Sequence, residues 1–545
     1  TFRSNLGIDA RTQQDYEFYS AATTERQFGS SYAKSSMTKY SMFTWENFFT
    51  YKRDFGTKHS LGVTLLQSVQ QDLRESLNAS AEDISADVLK YYDLGAGSII
   101  DGIGSGYRKW TMASFMGRVN YNYLGRYLLT VSARYDGSSR LADGHKWVLF
   151  PSAALAWRIS DEKFMKNIKW LDNLKLRVGY GKTGNSSVDP YQTRGTLSKV
   201  YYVYNNGKDE VLGYAPKKMA NKLLTWETTE QYNLGLDFGF LKNRIYGSID
   251  LYLQKTYDLL LERQLPVVSG FSNIVSNIGR TQNKGIEISL NTRNVVTKNF
   301  EWTTDLTFTA GREEIVELYN GKVDDPGSGW FIGEPIDVYY NYKKIGIWQD
   351  TPEDLAEMEK FNANGANFKP GTIRLWDNGD YKITEEDKLI IGTKRPKFVA
   401  SMVNSFRYRD FDFSLFLYGS QGGMLKNDIS IMEKPGRANS VRLDYWTPNN
   451  PTNAYPRPSV DMERPDYIST TYYENASFLR VRNITLGYTL PKALTSKWSI
   501  DKLRFYVTAN NPLIFTNFSG IDPEGATGNT SPSYSSWMFG LNLSL

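Results

Sequence analysis

Between residues 111 and 136 the chain alternates with a period of two. Ala113, Phe115, Gly117, Val119, Tyr121 and Tyr123 fall on one side, with Ser114, Arg118, Asn120 and Asn122 between them. After Leu124 and Gly125 the pattern restarts as Tyr127, Leu129, Val131, Ala133 and Tyr135 against Arg126, Thr130, Ser132, Arg134 and Asp136. Successive side chains of a strand point to opposite faces, so this reads as two strands, each with one apolar face, joined by a tight hairpin turn. One such hairpin fits a soluble sheet as well as a membrane barrel. Its recurrence along the chain separates the two.

The same alternation returns at 2–11, 42–51, 61–65, 153–159, 174–180, 232–240 and 245–253, then at 286–290, 302–310, 398–408, 411–417, 478–490, 503–509 and 537–545. Together with the first hairpin this predicts about 16 strands, each near the 9 to 11 residues that a tilted strand needs to cross a bilayer. The connections are expected to alternate, long then short. Tight turns are predicted at Arg53, Gly125, Lys242–Asn243 and Arg409–Asp410, and long polar stretches at 12–39, 70–108, 185–227, 312–395 and 421–477. A transmembrane barrel has short turns on one side and long loops on the other, a parity that a soluble sandwich or propeller has no reason to keep. Aromatic residues border the short turns at Tyr51, Tyr121, Tyr123, Tyr127, Phe238, Phe240, Phe406, Tyr408, Phe411 and Phe413, where an interfacial girdle belongs. The predicted fold class is therefore all-β, a transmembrane antiparallel β-barrel with long extracellular loops and short periplasmic turns.

Composition narrows this only at the edges. With 37 Tyr, 28 Phe and 44 Gly in 545 residues, the chain favours strands and turns over helices. No apolar run reaches the roughly 18 residues of a helical membrane span, which leaves a barrel open because alternation averages out in a hydropathy window. The absence of Cys excludes disulfides and thiolate metal sites. A net charge of +5 with scattered Lys and Arg gives nucleic-acid binding little support.

Candidate chemistry is confined to the loops. The segment 312–396 holds the one convincing helix, with Thr351 as N-cap, Pro352 at the first position and Glu353 and Asp354 in the first turn. Asp377, Asp380 and Asp387 offer oxygen ligands of the kind calcium takes, and the same Asp-Asn-Gly-Asp stretch also suits an Asx-type turn around Gly379, the commoner outcome. Tyr339, Tyr340, Tyr472 and Tyr473 are candidate ligand-stacking residues, or else loop packing. His59 and His145 sit in no nucleophile elbow or metal pair, and no nucleotide-binding glycine motif follows a strand, so no enzyme is expected.

The stretches GEPIDVYYNYKKIGIWQ from Gly333, WDNGDYKITEEDKLIIGTKRPKF from Trp376, DYWTPNNPTNAYPR from Asp444, NASFLRVRNITLGYTLP from Asn475 and ANNPLIFTNFSGIDPE from Ala509 are distinctive. In them the chain resembles the SusC-like (SusC/RagA) TonB-linked outer-membrane transporters of Bacteroidota. GRVNYNYLGRYLLTVSARYDGSSRL from Gly117 and NLKLRVGYGKTGN from Asn173 extend the likeness to most of the chain. The resemblance implies a 22-stranded barrel with an internal plug, a SusD-like lipoprotein lid, coupling to the TonB complex, and a glycan or peptide ligand. Residues 1–545 would then be the C-terminal part of that barrel, without plug domain and N-terminal strands, and 312–396 and 421–477 its large extracellular loops. The family's Asp-x-Asn-Gly-Asp-Gly pattern is altered here at Trp376 and Tyr381, which weakens a calcium site. The expected role is active import of an oligosaccharide or oligopeptide across a Gram-negative outer membrane. A passive porin-type channel is the alternative, and a soluble carbohydrate-binding β-protein a more distant one.

Overall fold

The computed structural model describes residues 1–205, 209–427, 443–458, 465–524 and 533–545. Sixteen strands form one sheet, each hydrogen-bonded to its neighbours in sequence order without crossovers. They are β1 Phe2–Tyr19, β2 Tyr32–Phe55, β3 His59–Ile84, β4 Gly97–Tyr123, β5 Tyr127–Ser138, β6 Trp147–Arg158, β7 Leu171–Asn185 and β8 Glu227–Phe240. They continue as β9 Ile245–Tyr257, β10 Arg280–Val296, β11 Phe300–Glu317, β12 Phe398–Tyr408, β13 Phe411–Gln421, β14 Phe478–Thr489, β15 Lys502–Thr516 and β16 Ser536–Ser544. Every strand expected from alternation is present, and the pairing is antiparallel, as hairpins require. The short turns take left-handed backbone: Leu124 and Gly125 have φ of 59° and 68°, and Arg126 N–H closes on the Tyr123 carbonyl at 3.0 Å. Leu241, Lys242 and Asn243 are likewise at positive φ.

The chain falls into two compact units. The first comprises Thr1–Arg158, Arg177–Tyr232 and Gln254–Arg280. On β4 and β5 the apolar positions are the open ones: Phe115 is 52% exposed and Val131 45%, while Ser114 and Asp136 on the alternate face are 1% and 8%. A soluble sheet buries its apolar face. Here the face of greasy side chains looks outward and the polar face is sheltered, the arrangement of strands solvated by lipid. Asn47 and Gln67 interrupt the apolar stripe, and register places them directly opposite one another, amide to amide at 2.7 Å. In hydrocarbon each would otherwise lack a partner.

Two expectations for this unit need correction. The polar stretches 12–39 and 70–108 are mostly strand, since β1 runs to Tyr19, β2 begins at Tyr32, β3 runs to Ile84 and β4 begins at Gly97. At 27 residues β4 is far longer than the roughly 10 that cross a bilayer, so most of its ladder stands clear of the hydrocarbon. There water meets both faces, no apolar alternation is demanded, and the pattern that marks a strand disappears. The expected long-then-short alternation of connections also fails in length: 139–146, on the side of the long connections, is shorter than 159–170 on the side of the turns, which belongs to the second unit. The unit's apolar core lies at the strand ends away from the tight turns, where Leu141, Phe150, Val188, Leu224 and Trp226 pack together and the Trp226 indole N–H donates to the Lys146 carbonyl at 2.8 Å.

The second unit comprises Ile159–Leu176, Asn233–Leu253 and Thr281–Leu545. Leu234, Leu486 and Phe505 are again open, while Thr508 is buried. None of Leu129, Leu236 and Leu415 lies buried under a second layer. Rings near the short turns pack at a tilt, Phe406 with Phe413 at 5.9 Å and Phe411 with Tyr488 at 4.6 Å between centroids. As expected, 318–397 carries only short strands and the helix α1, Pro352–Ala363, whose Thr351 hydroxyl accepts from the Asp354 N–H. Part of the predicted loop 421–477, namely 428–442 and 459–464, lies outside the described residues.

Val131→Arg would place a cation on the outward face within the membrane band, at an expected cost of about 2–4 kcal/mol. The folded fraction of the refolded full-length protein, read by heat-modifiable migration, should fall accordingly, whereas Thr130→Ala on the polar face should leave it nearly unchanged.

Candidate functional site

Two places gather chemistry, one in each unit. In the second unit the connection 318–397 folds on itself. The short strand Val338–Asn341 pairs with Leu389–Thr393, and Lys344–Ile347 with Ile373–Leu375. Trp348, 1% exposed, lies between Met358, Phe361 and Phe368 on one side and the Arg374 guanidinium on the other, 4.4 Å from its ring. Arg374 is anchored to α1 by Asp354 at 3.1 Å and Glu357 at 2.5 Å. The Trp-Thr-Pro-Asn-Asn-Pro stretch staples a second connection to this one. The Trp446 indole donates to the Gln349 side-chain oxygen at 2.9 Å, and the Asn453 side-chain oxygen accepts from the Ile347 N–H at 2.9 Å. Gly371, at φ 87°, passes so close that a Cβ would meet the Trp446 ring at 2.4 Å. Hydrogen bonds from Thr452 and Asn450 hold the Asp444 carboxyl below its ordinary value, which keeps the staple's acceptor charged.

The predicted tyrosines meet here. Tyr339 and Tyr473 approach to 4.9 Å between ring centroids, with the Lys426 ammonium 5.6 Å from the Tyr473 ring. Tyr340 packs on Phe331 at 4.7 Å. Tyr339 and Tyr472 are buried, whereas Tyr340 and Tyr473 keep part of their surface open. The acidic stretch forms turns. Asp377 accepts from the Gly379 N–H at 2.9 Å and the Tyr381 N–H at 3.2 Å, and Asp380 from the Lys382 N–H at 2.8 Å. Asp387, wholly buried, accepts from the Asn378 N–H at 3.0 Å and the Thr384 N–H at 2.7 Å, completing a capping box. Among the described residues no three acidic or His side chains converge as metal ligands do.

The second place, in the first unit, was invisible to pattern reading. A cavity of about 400 Å³ is lined by Tyr40, Asp72, Arg74, Arg108, Trp110 and Arg140, with residues 187–190 across from them. A smaller one of about 290 Å³ shares Trp110 and Pro190. Asp72, Arg74 and Arg108 come from a stretch that reads as a polar loop, and only strand register aligns them with Tyr40 and Trp110. On the polar strand face Arg134 is held by Asp136 at 2.7 Å and Ser114 at 2.9 Å, and in the other unit Asp237 meets Lys175 at 3.4 Å.

Asp387→Ala leaves two N–H groups without acceptors in the loop layer, at an expected cost of about 1–3 kcal/mol. Limited proteolysis within 376–392 should accelerate in the variant, while EDTA should leave the wild-type cleavage rate unchanged if the carboxylates are turn acceptors.

A model of the TonB dependent receptor-like β-barrel matches residues 1–511. TonB-dependent receptor P3 of Formosa agariphila is 34% identical over 512 residues, 91% of this chain and 50% of that protein. TonB-dependent receptor SusC of Bacteroides thetaiotaomicron is 34% identical over 452 residues, 79% of this chain and 44% of that one. The chain thus spans about half the length of the curated relatives it matches. Among solved structures, the RagAB peptide transporter superposes with a TM-score of 0.84 at 23% identity, covering 99% of this chain and 60% of that chain, a likeness of fold. With its strands turned outward to lipid and a family match over most of its length, the chain belongs to the TonB-dependent receptor β-barrels of the outer membrane, of the SusC-like kind, a family of transport proteins and not of enzymes.

Proposed function

We propose that this chain is the C-terminal barrel portion of an importer that draws a large nutrient, an oligosaccharide or oligopeptide, across the outer membrane with energy delivered through TonB, in partnership with a SusD-like surface lipoprotein. The observation that carries the reading is the inverted burial of the strands, with Phe115, Leu129 and Val131 open and Ser114, Asp136 and Ser138 sheltered, in a chain of this family. In this reading the short turns face the periplasm. Residues 312–396 and 421–477 face outward, where lipoprotein and cargo arrive, and Tyr340 and Tyr473 are the loop rings with surface to offer a ligand. The firm internal stapling of these connections suits a surface that docks a lid, because a preformed interface avoids ordering costs on binding. RagAB is described as a peptide transporter, so a peptide cargo stays within the proposal beside a glycan.

Cells carrying the full-length receptor are expected to accumulate a fluorescently labelled cargo oligomer from dilute medium, and a protonophore should cut that accumulation to background. Uptake continuing at an undiminished rate after the proton gradient collapses would describe a passive porin-type channel and overturn the reading.

A further inference from the structure

The cavity on the polar face of the first unit has a charge arrangement that the strands alone do not explain. Register sets Arg11 opposite Tyr40, Tyr40 opposite Arg74 and Arg74 opposite Arg108, so one row across β1 to β4 reads Arg, Tyr, Arg, Arg. Tyr40 lies between two guanidinium groups, Arg11 at 4.4 Å and Arg74 at 5.2 Å from its ring. Like charges directly opposite in an antiparallel pair are destabilising, yet Arg74 and Arg108 occupy such a pair. Arg140 adds a third cation from the connection after β5, its guanidinium 4.0 Å over the Trp110 ring. Its Nε is sheltered from solvent and has no hydrogen-bond partner among the described residues. Asp189 binds Arg108 from the facing connection, and Asp72 stands beside Trp110 in register. Two carboxylates against three arginines at the cavity leave a net positive site with an unsatisfied donor.

We propose that this cavity is a binding site for an oxyanion, carboxylate or sulfate, carried by an acidic oligosaccharide cargo. The inference rests on the importer reading and deepens it by naming the charge of the cargo and the residues that meet it. Planar guanidinium groups match carboxylate and sulfate oxygens with paired hydrogen bonds, and an anion between Arg74 and Arg108 removes their repulsion. The ring faces of Tyr40 and Trp110 are already taken by arginines, so they hold the forks in place and do not supply apolar pockets for peptide side chains. Asp72 and Asp189 offer acceptors to the hydroxyl groups that a sugar carries beside its acid group. Arg108 lies 15 residues (123 − 108) from the end of β4 at its short turn, roughly 50 Å along the strand and well beyond the roughly 25 Å apolar band even with tilt. The site therefore stands above the membrane on the loop side, where cargo enters before it reaches the bilayer-spanning part. Salt should weaken binding there, because an exposed ionic site is screened.

The test uses the full-length receptor in detergent and three probes of equal chain length: oligogalacturonate, chondroitin sulfate oligosaccharide and uncharged malto-oligosaccharide, with a poly-glutamate peptide as fourth. Calorimetry is expected to show at least one acidic saccharide binding more than tenfold tighter than the neutral one, and weakening at high salt. Arg74→Gln with Arg108→Gln should weaken that binding about tenfold or more, and Arg74→Lys with Arg108→Lys should restore only part of it. Heat-modifiable migration reports that the variants are folded. Equal binding of neutral and acidic saccharides, no binding of any acidic saccharide, or an unchanged affinity in the folded double Gln variant overturns the proposal. Tighter binding of poly-glutamate than of every acidic saccharide overturns the saccharide assignment. Protonophore-sensitive uptake of a neutral cargo alongside any of these results leaves the importer reading standing, so the two fail separately.

Discussion

Hydrocarbon offers no hydrogen-bond partner, and the strands are organised around that constraint. A backbone N–H or C=O left open in the bilayer costs several kcal/mol, so each strand must pair on both edges through the membrane, and hairpins in sequence order achieve this with the shortest connections. The same solvent favours apolar side chains on the outward face, which is why Leu129 and Val131 stand open while Ser114 and Ser138 are sheltered. Even the exceptions obey it, since Asn47 and Gln67 satisfy each other across the β2–β3 ladder.

Beyond the band the constraint relaxes and another takes over. Above the membrane the ladders of β1 to β4 continue in water, where backbone pairing persists but side chains are free to be polar on either face. That freedom lets arginines gather in register on one face without disturbing the apolar stripe. The connections of the second unit are built differently. Trp348 and Trp446, buried at 1% and 4%, centre small apolar cores of their own, and Arg374 joins helix to strand. Large connections with private cores hold their shape independently of the sheet.

Legibility in the sequence followed these two regimes. Where lipid enforces alternation, as at 113–135 or 232–253, strand positions and turns were readable to within a few residues. The tight turns at Leu124–Gly125 and Lys242–Asn243 appear with the left-handed backbone such turns need. Where water replaces lipid, alternation lapses and 70–108 reads as loop although it is mostly strand. The recognisable loop motifs marked the family, but their roles were not visible: the Asp444 to Arg457 stretch is a staple, with Trp446 and Asn453 reaching Gln349 and Ile347, 97 and 106 residues away.

The sequence by itself determined the fold class, the strand count in this chain and the face that meets lipid, because a period-two pattern is local and one solvent imposes it everywhere. Only the tertiary structure decided which polar residues stand together. Arg74 and Arg108 are 34 positions apart (108 − 74) and become cross-strand partners through a β3–β4 register that shifts by one residue between Ser80 and Ala81, and Arg140 joins them from a third element. Charge placement of this kind depends on how strands slide past one another, a quantity that no local pattern encodes once the apolar stripe has ended.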